Sequence, residues 1–141
     1  LDHTESYDLI AHLEAFFKLL DDDIFLQVPI FHMHDRVVET LLDAGAQINM
    51  QDEVGRTALM EACVAFKKDV IRLLLERGAD VNLCDNNGCT ALMRAAYGGY
   101  ASLVEELLAQ GADKEQLDKE GNKAVHYVRE HCLAQLKPLL K

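Results

Sequence analysis

Several features that identify common classes of protein are missing from this sequence. No apolar run approaches the roughly 20 residues of a membrane span, and the first residues lack the pattern of a secretory signal peptide. The 14 basic residues are outnumbered by 24 acidic ones, which gives a formal net charge of -10. Because phosphate binding needs a basic surface, nucleic-acid binding is disfavoured. We expect a soluble, non-secreted protein with neither a membrane segment nor a nucleic-acid partner.

Catalytic motifs are missing as well. The sequence has no nucleophile elbow, phosphate-binding loop, HExxH motif or glycine-rich dinucleotide fingerprint. Its only serines, Ser6 and Ser102, stand in no recognisable catalytic setting. Enzyme activity would require a pocket of converging polar groups, and no motif in the sequence indicates one. The sequence therefore predicts a protein that is not an enzyme and needs no cofactor.

The four cysteines lack the spacing of a disulfide framework. Cys63 is predicted to be a small buried side chain. Cys84 and Cys89 form a C-x4-C pair that could bond together or bind a metal, but no second pair completes a zinc site. Cys132 is adjacent to His131, also without further ligands nearby in sequence. We expect reduced thiols, no metal, and a cytoplasmic or nuclear location.

The sequence does contain an internal repeat. The stretch "GAQINMQDEVGRTALM" (45–60) agrees with "GADVNLCDNNGCTALM" (78–93) at most of its special positions. A spacing of 33 residues relates the glycines, aspartates and leucines of three successive segments: Gly45, Gly78 and Gly111; Asp52, Asp85 and Asp118; Gly55, Gly88 and Gly121; Leu41, Leu74 and Leu107. A fixed period of this length is typical of a solenoid.

Each period is predicted to contain a turn followed by two short helices. Asn86, Asn87 and Gly88 offer the left-handed conformations of a tight turn. Thr57 and Thr90 are placed to cap the first helices. The second helices show an apolar face at helical spacing and end at Gly78 and Gly111; their apolar residues are Val70, Ile71, Leu74 and Leu75 in one segment and Leu103, Val104, Leu107 and Leu108 in the next.

The segments "DEVGRTALMEACVAFKKDVIRLLLERGADVN" (52–82) and "DNNGCTALMRAAYGGYASLVEELLAQGAD" (85–113) resemble the ankyrin-repeat family. The resemblance extends from about residue 19 to the C-terminus. It implies an all-α fold, an ankyrin-repeat solenoid of three to four stacked helix–turn–helix units joined by β-hairpin-like loops. Four units follow from the period: a degenerate repeat at 19–51, repeats at 52–84 and 85–117, and a truncated capping repeat at 118–141.

Residues 1–18 lie outside this register. The stretch "SYDLIAHLEAFFKLL" (6–20) has one apolar helical face. It is predicted either to cover the end of the solenoid as an N-terminal capping helix or to dock on a partner.

Several residues depart from the family pattern. Met60 and Met93 replace its usual histidine, so the histidine hydrogen bond should be absent there. Phe66 stands where the family often has glycine, which leaves the loop at 64–69 open. Pro29 interrupts the first helix of the degenerate repeat, and Lys123 replaces the capping threonine of the last one.

Acidic residues are concentrated in the first third of the chain. Residues 1–51 hold 10 acidic and two basic side chains, whereas residues 52–141 hold 14 and 12. The densest run is Asp21 to Asp23. It is either a solvated turn or a site for a basic partner.

The resemblance implies a monomeric protein–protein interaction module that binds a protein or peptide through its hairpin tips and the concave face of its first helices. The corresponding positions are Glu53, Val54, Arg56, Val64, Ala65, Asn86, Asn87, Cys89, Arg94, Tyr97, Lys119, Glu120, Asn122, Tyr127 and Glu130. Tyr97, with Arg94 beside it, is the leading candidate because both are residue types common at binding hot spots. Alternatively, Tyr97 packs over Gly98 or Gly99 without a partner.

Two broader alternatives stay open. The module is expected to belong to a larger regulator, adaptor or effector, but it could also be a structural spacer in a longer repeat array, as its start at Leu1 suggests. Asn49 and Asn82 occupy the hairpin position that asparaginyl hydroxylases modify in some ankyrin domains. The same side chains could instead serve only the turn through their own hydrogen bonds.

Overall fold

The computed structural model describes residues 35–141, apart from the side chain of Val37. Six α-helices and two short 3-10 helices account for the regular structure of this range: α1 Asp35–Asp43, α2 Ala58–Ala65, α3 Lys68–Glu76, α4 Ala91–Gly98, α5 Ala101–Ala109, 3-10 helices Ala124–Tyr127 and Glu130–Cys132, and α6 Leu133–Leu140. Within it, strand pairing is limited to one antiparallel bridge between Cys84 and Thr90. The predicted all-α class is confirmed.

The predicted N-terminal helix, the acidic run and Pro29 lie outside the described residues. Of the degenerate repeat, the structure describes α1, in which Val38 and Leu41 are buried. In residues 35–141 no helix is long and apolar enough to cross a membrane.

Threonine caps start both central helices, as predicted. The Thr57 hydroxyl accepts a hydrogen bond from the Met60 N–H at 3.2 Å, and the Thr90 hydroxyl accepts one from the Met93 N–H at 3.3 Å. These bonds satisfy donors that the first turn of a helix leaves unpaired. In α4 the Met93 sulfur also accepts from the Thr90 N–H at 3.4 Å. At Met93 the thioether that replaces the family's histidine thus supplies a weak acceptor of its own.

The core lies around α2 and α4. Residues Ala58 to Cys63 are all buried in α2, which is apolar on nearly every side, and α4 packs against α2, α5 and the first 3-10 helix. The outer helices bury one face each, as predicted, through Val70, Ile71, Leu74 and Leu75 in α3 and Leu103, Val104 and Leu107 in α5. Ala62 in α2 and Ala95 and Ala96 in α4 are small and fully buried, which lets these two helices approach closely.

The turns after α2 and α4 share a left-handed residue that differs in type. Phe66 has φ 50° and Gly99 has φ 77°. A non-glycine residue in this region costs about 1 kcal/mol or more. The Phe66 ring stacks on Tyr100, with ring centroids 4.0 Å apart and planes 8° from parallel, and such a pair contributes about 1 kcal/mol. The stacking offsets the backbone strain and settles the loop geometry that the sequence left open.

The chain departs from the repeat after residue 122. Ala124–Tyr127 forms a 3-10 helix in place of an α-helix, and Val128 is extended, with ψ 123°. Lys123 makes no side-chain cap; instead the His126 Nδ1 accepts from the Lys123 N–H at 2.9 Å. In α6, Leu136 and Leu140 are buried and Leu139 packs against the core. These leucines cover the end of the helical stack.

Candidate functional site

Three hairpins, named here after their first residues Asp52, Asp85 and Asp118, are closed in the same manner. In the Asp85 hairpin (85–89) one carboxylate oxygen accepts from the Asn87 N–H at 2.8 Å and the Cys89 N–H at 3.0 Å. The Asp52 hairpin (52–56) and the Asp118 hairpin (118–122) repeat both bonds at the equivalent positions, at 2.8 to 3.0 Å. The aspartate that recurs every 33 residues thus fixes each turn.

Neighbouring hairpins are joined into a ladder. Asn86 donates its N–H to the Val54 carbonyl at 3.0 Å and its side-chain amide to the Glu53 carbonyl at 2.9 Å. The Lys119 N–H donates to the Asn87 carbonyl at 3.0 Å. These bonds hold the three tips in one continuous edge.

Glycine is required where the ladder is tightest. A Cβ on Gly88, whose φ is 80°, would lie 2.9 Å from the Asp118 Cα. Of the predicted turn residues in this hairpin only Gly88 has positive φ. The expectation for Asn86 and Asn87 is wrong, because their bonds across and within the ladder hold them in ordinary backbone conformations.

In two of the hairpins the second carboxylate oxygen of the aspartate bonds a side chain of the helix that follows. Arg94, in α4, pairs with Asp85 at 2.6 Å, with side-chain exposures of 18% and 6%. Tyr127, exactly one period later, donates its hydroxyl hydrogen to Asp118. Arg94, which was predicted to bind a partner, is therefore paired with a carboxylate of its own chain.

The equivalent residue of α2 is Glu61, which has the same sign of charge as Asp52. It is buried and pairs with Arg56 at 3.3 Å. The Asp52 hairpin is therefore joined to α2 through Arg56, its last residue, and not through Asp52.

Burial and hydrogen bonding shift three pKa values near this region. Burial is the larger cause that raises the pKa of the Tyr127 phenol above its ordinary value, and the hydrogen bond to Asp118 is the next. The hydrogen bond from Tyr127, with the backbone N–H of Asn122, lowers the pKa of Asp118. Burial raises the pKa of the Cys63 thiol to about 12. At neutral pH the phenol and this thiol are both protonated.

A groove of about 560 Å³ crosses α2, α4 and the chain after the Asp118 hairpin. Its two most exposed apolar walls are Tyr97, with 58% of its surface accessible, and Val64, with 48%. The lining consists of Cys63, Val64, Cys89, Met93, Arg94, Tyr97, Gly98, Tyr100, Tyr127 and Arg129. Five of the predicted residues thus meet in one place, namely Val64, Cys89, Arg94, Tyr97 and Tyr127.

The other predicted residues lie outside this groove. The hairpin tips expose Glu53, Val54, Arg56, Asn86, Asn87, Lys119 and Glu120, and Ala65 and Asn122 are half-buried. The exposed residues of the hairpin tips form an edge of their own beside the groove. Glu130 lies in the second 3-10 helix and is not among the lining residues.

Arg129 is the main residue that sequence reasoning missed. Its guanidinium carbon lies 5.0 Å from the centroid of the Tyr97 ring. The period aligns Arg129 with Ala96, which is fully buried, so the repeat offered no signal for an exposed role. The extended Val128 changes the register and brings Arg129 to the groove. The guanidinium of Arg129 consequently lies over the ring of Tyr97, a contact that the sequence did not suggest.

The hairpin asparagines bridge successive loops. The Asn82 side chain donates to the Gly111 carbonyl at 3.0 Å and accepts from the Asp113 N–H at 2.8 Å. The Asn49 side chain accepts from the Asp80 N–H at 2.9 Å. Both side chains are exposed. Hydroxylation of Asn49 or Asn82 stays a prediction.

The cysteines are all free in residues 35–141. Cys63 is buried, Cys84 is exposed, and the Cys89 sulfur lies 3.1 Å from the Tyr127 hydroxyl oxygen. Nowhere in this range do three or more histidine, cysteine or acidic side chains gather at a spacing suited to a metal ion.

A comparison with protein families matches residues 30–118 to ankyrin repeats, in three copies. A search of curated proteins finds no match for the chain. The matched segment covers more than half of the sequence and includes the Asp52 and Asp85 hairpins with the helices that follow them. Ankyrin repeats are generally protein–protein interaction modules and typically non-enzymatic. On this match and the helical stack described above, the chain belongs to the ankyrin-repeat family.

Proposed function

We propose that the chain is a binding module that receives a partner protein or peptide in the groove between Val64, Tyr97 and Arg129, with the hairpin tips as a flanking polar edge. The observation that carries this proposal is the exposure of Tyr97 and Val64, two large apolar side chains that line the same groove. Large apolar side chains that stay accessible beside a groove are typical of interaction sites.

The groove is held in shape before any partner arrives. The Arg94–Asp85 pair and the Tyr127–Asp118 hydrogen bond fix two of its lining residues to the hairpin ladder. A surface whose side chains are already ordered loses less conformational entropy on binding. Tyr97 has few rotatable bonds, so ordering it is inexpensive.

The proposal places the module, as a monomer, within a larger regulator, adaptor or effector of the cytoplasm or nucleus. Support for a reducing compartment comes from the free cysteines of the described range, one of which, Cys84, is exposed.

Site-specific crosslinking tests the proposal. The photo-crosslinking residue benzoylphenylalanine replaces Tyr97 in the groove or, as a matched control, Leu117, which is 53% exposed outside it. Each full chain is irradiated in cell lysate. We expect discrete crosslinked partners from position 97 only, and their loss when Val64→Asp is added. Adding Leu117→Asp to the position 97 chain should leave them in place.

Two results would overturn the proposal. Equal crosslinking from both positions would show nonspecific contact, and no crosslink from position 97 in a folded chain would show that the groove meets no partner there. The second result would favour the structural spacer.

A further inference from the structure

We infer that the groove selects a peptide in which a large apolar side chain is followed, within one or two residues, by an aspartate or glutamate whose carboxylate binds Arg129. This inference rests on the proposed function and specifies the chemistry of the partner.

The apolar part of the site has room for a large side chain. A volume of about 560 Å³ lies within the range of ordinary ligand sites. Val64, Met93, Tyr97 and Tyr100 supply aliphatic, thioether and aromatic lining. Leucine, methionine or phenylalanine of a partner would bury apolar surface against them, at about 25 cal/mol per Å² removed from water.

The charge of the site is set by Arg129. Arg94 is neutralised by Asp85 at 2.6 Å, and the raised pKa of Tyr127 keeps its phenol uncharged. Among residues 35–141 no carboxylate lies within salt-bridge distance of Arg129, whose guanidinium lies over the face of the Tyr97 ring. Arg129 is therefore the lining cation of the groove that has no paired carboxylate among residues 35–141, although the chain as a whole carries a formal charge of -10.

A single carboxylate matches this charge. The planar guanidinium offers parallel N–H donors that suit both oxygens of a carboxylate. A dianionic phosphate would leave one charge uncompensated, because Arg94, the other lining cation, is already paired. A basic partner, which the acidic residues of the first third suggest, would be repelled at Arg129.

Peptide selection tests this specificity. A random phage-displayed library of peptides about twelve residues long is selected on the full chain, on Arg129→Glu, and on Arg72→Glu as a matched control. Arg72 is an exposed arginine of α3 outside this groove. We expect aspartate or glutamate beside leucine, methionine or phenylalanine on the unmodified chain and on Arg72→Glu. Lysine or arginine should replace the acid on Arg129→Glu.

A change in the peptide makes the test independent of protein folding. Replacing the acid of the best peptide by its amide should weaken binding about tenfold, since a charge-assisted hydrogen bond contributes about 1.5 kcal/mol or more. Arg129→Ala should reduce this difference to less than about twofold, while Arg72→Ala should preserve it.

The outcomes separate the two proposals. Peptides that lose affinity on Val64→Asp but are basic or uncharged, or bind equally well as amides, would overturn the inference and leave the proposed function standing. A selected carboxylate that proves to be the peptide C-terminus would also overturn it. Failure to select any peptide, or selection only of peptides that bind Val64→Asp equally well, would overturn both.

Discussion

The Asp85 and Asp118 hairpins are nearly identical, yet the chains that follow them fold differently. Each aspartate accepts the same two backbone N–H groups. After the first hairpin comes the eight-residue helix α4; after the second comes a four-residue 3-10 helix. The comparison teaches that hairpin closure depends on a few local residues, whereas the helix also depends on its cap and on its neighbours.

The sequences after the hairpins account for the difference. Thr90 caps α4, and the alanines that follow favour a helix. Lys123 supplies no side-chain cap, and Val125 and Val128 are β-branched residues that favour a helix less. The tie from helix to aspartate survives this change, because Tyr127 reaches Asp118 as Arg94 reaches Asp85.

Breaking the Arg94–Asp85 tie should have the largest effect. Arg94→Ala leaves a buried carboxylate without its cation, and we expect a loss of about 3 kcal/mol in the free energy of unfolding. Urea denaturation followed by circular dichroism measures this loss.

The matched control is Arg77→Ala. Arg77 pairs with Asp43 at 2.8 Å, with exposures of 39% and 58%, so we expect a loss of about 0.5 kcal/mol or less. Equal losses in the two variants would show that burial does not distinguish the two pairs. Because Arg94→Ala should also disturb the groove, binding experiments are better made with Tyr97→Ala.

Removing the cap of α4 should have an intermediate effect. Thr90→Ala deletes the acceptor of the Met93 N–H, and we expect a loss of about 1 kcal/mol in the free energy of unfolding. Lys123→Ala, at the equivalent position, should change it by less than about 0.5 kcal/mol, since its exposed ion pair with Glu115 contributes little.

The same denaturation experiment decides this prediction. Comparable losses in the two variants would contradict the claim that, of these two positions, only Thr90 caps the helix that follows it.

Removing the Tyr127 hydroxyl should have the smallest effect and should depend on pH. The folded pKa of Asp118 is lowered from its ordinary value of 3.8, chiefly by Tyr127. The resulting stabilisation is present above pH 3.8 and is lost as the pH falls through the lower folded pKa. Tyr127→Phe should therefore be less stable than the unmodified chain near pH 6, and the difference should shrink toward pH 2.

Denaturation at a series of pH values measures this difference. Tyr97→Phe is the control, because Tyr97 is exposed and its hydroxyl makes no hydrogen bond within residues 35–141, so this variant should show no such trend. A Tyr127→Phe difference that stays constant from pH 6 to pH 2 would contradict the link to Asp118.

Most of the helical framework could be predicted from the sequence because its signals are local. Thr57 and Thr90 cap the expected helices, and Gly78 and Gly111 end the outer ones with positive φ. The candidate site was predicted only in part. Five predicted residues line the groove; Glu130, which was predicted for the concave face of the first helices, is not in this lining, and Arg129 was overlooked.

The period, the hairpins and the buried faces follow from the sequence alone, because aspartate, glycine, threonine and apolar spacing act over a few residues. The tertiary structure decided how Phe66 tolerates a left-handed backbone, through the ring of Tyr100, and which cation faces Tyr97. Both depend on side chains from different elements meeting in space. The groove exists only because α2, α4 and the chain after the Asp118 hairpin stack beside one another.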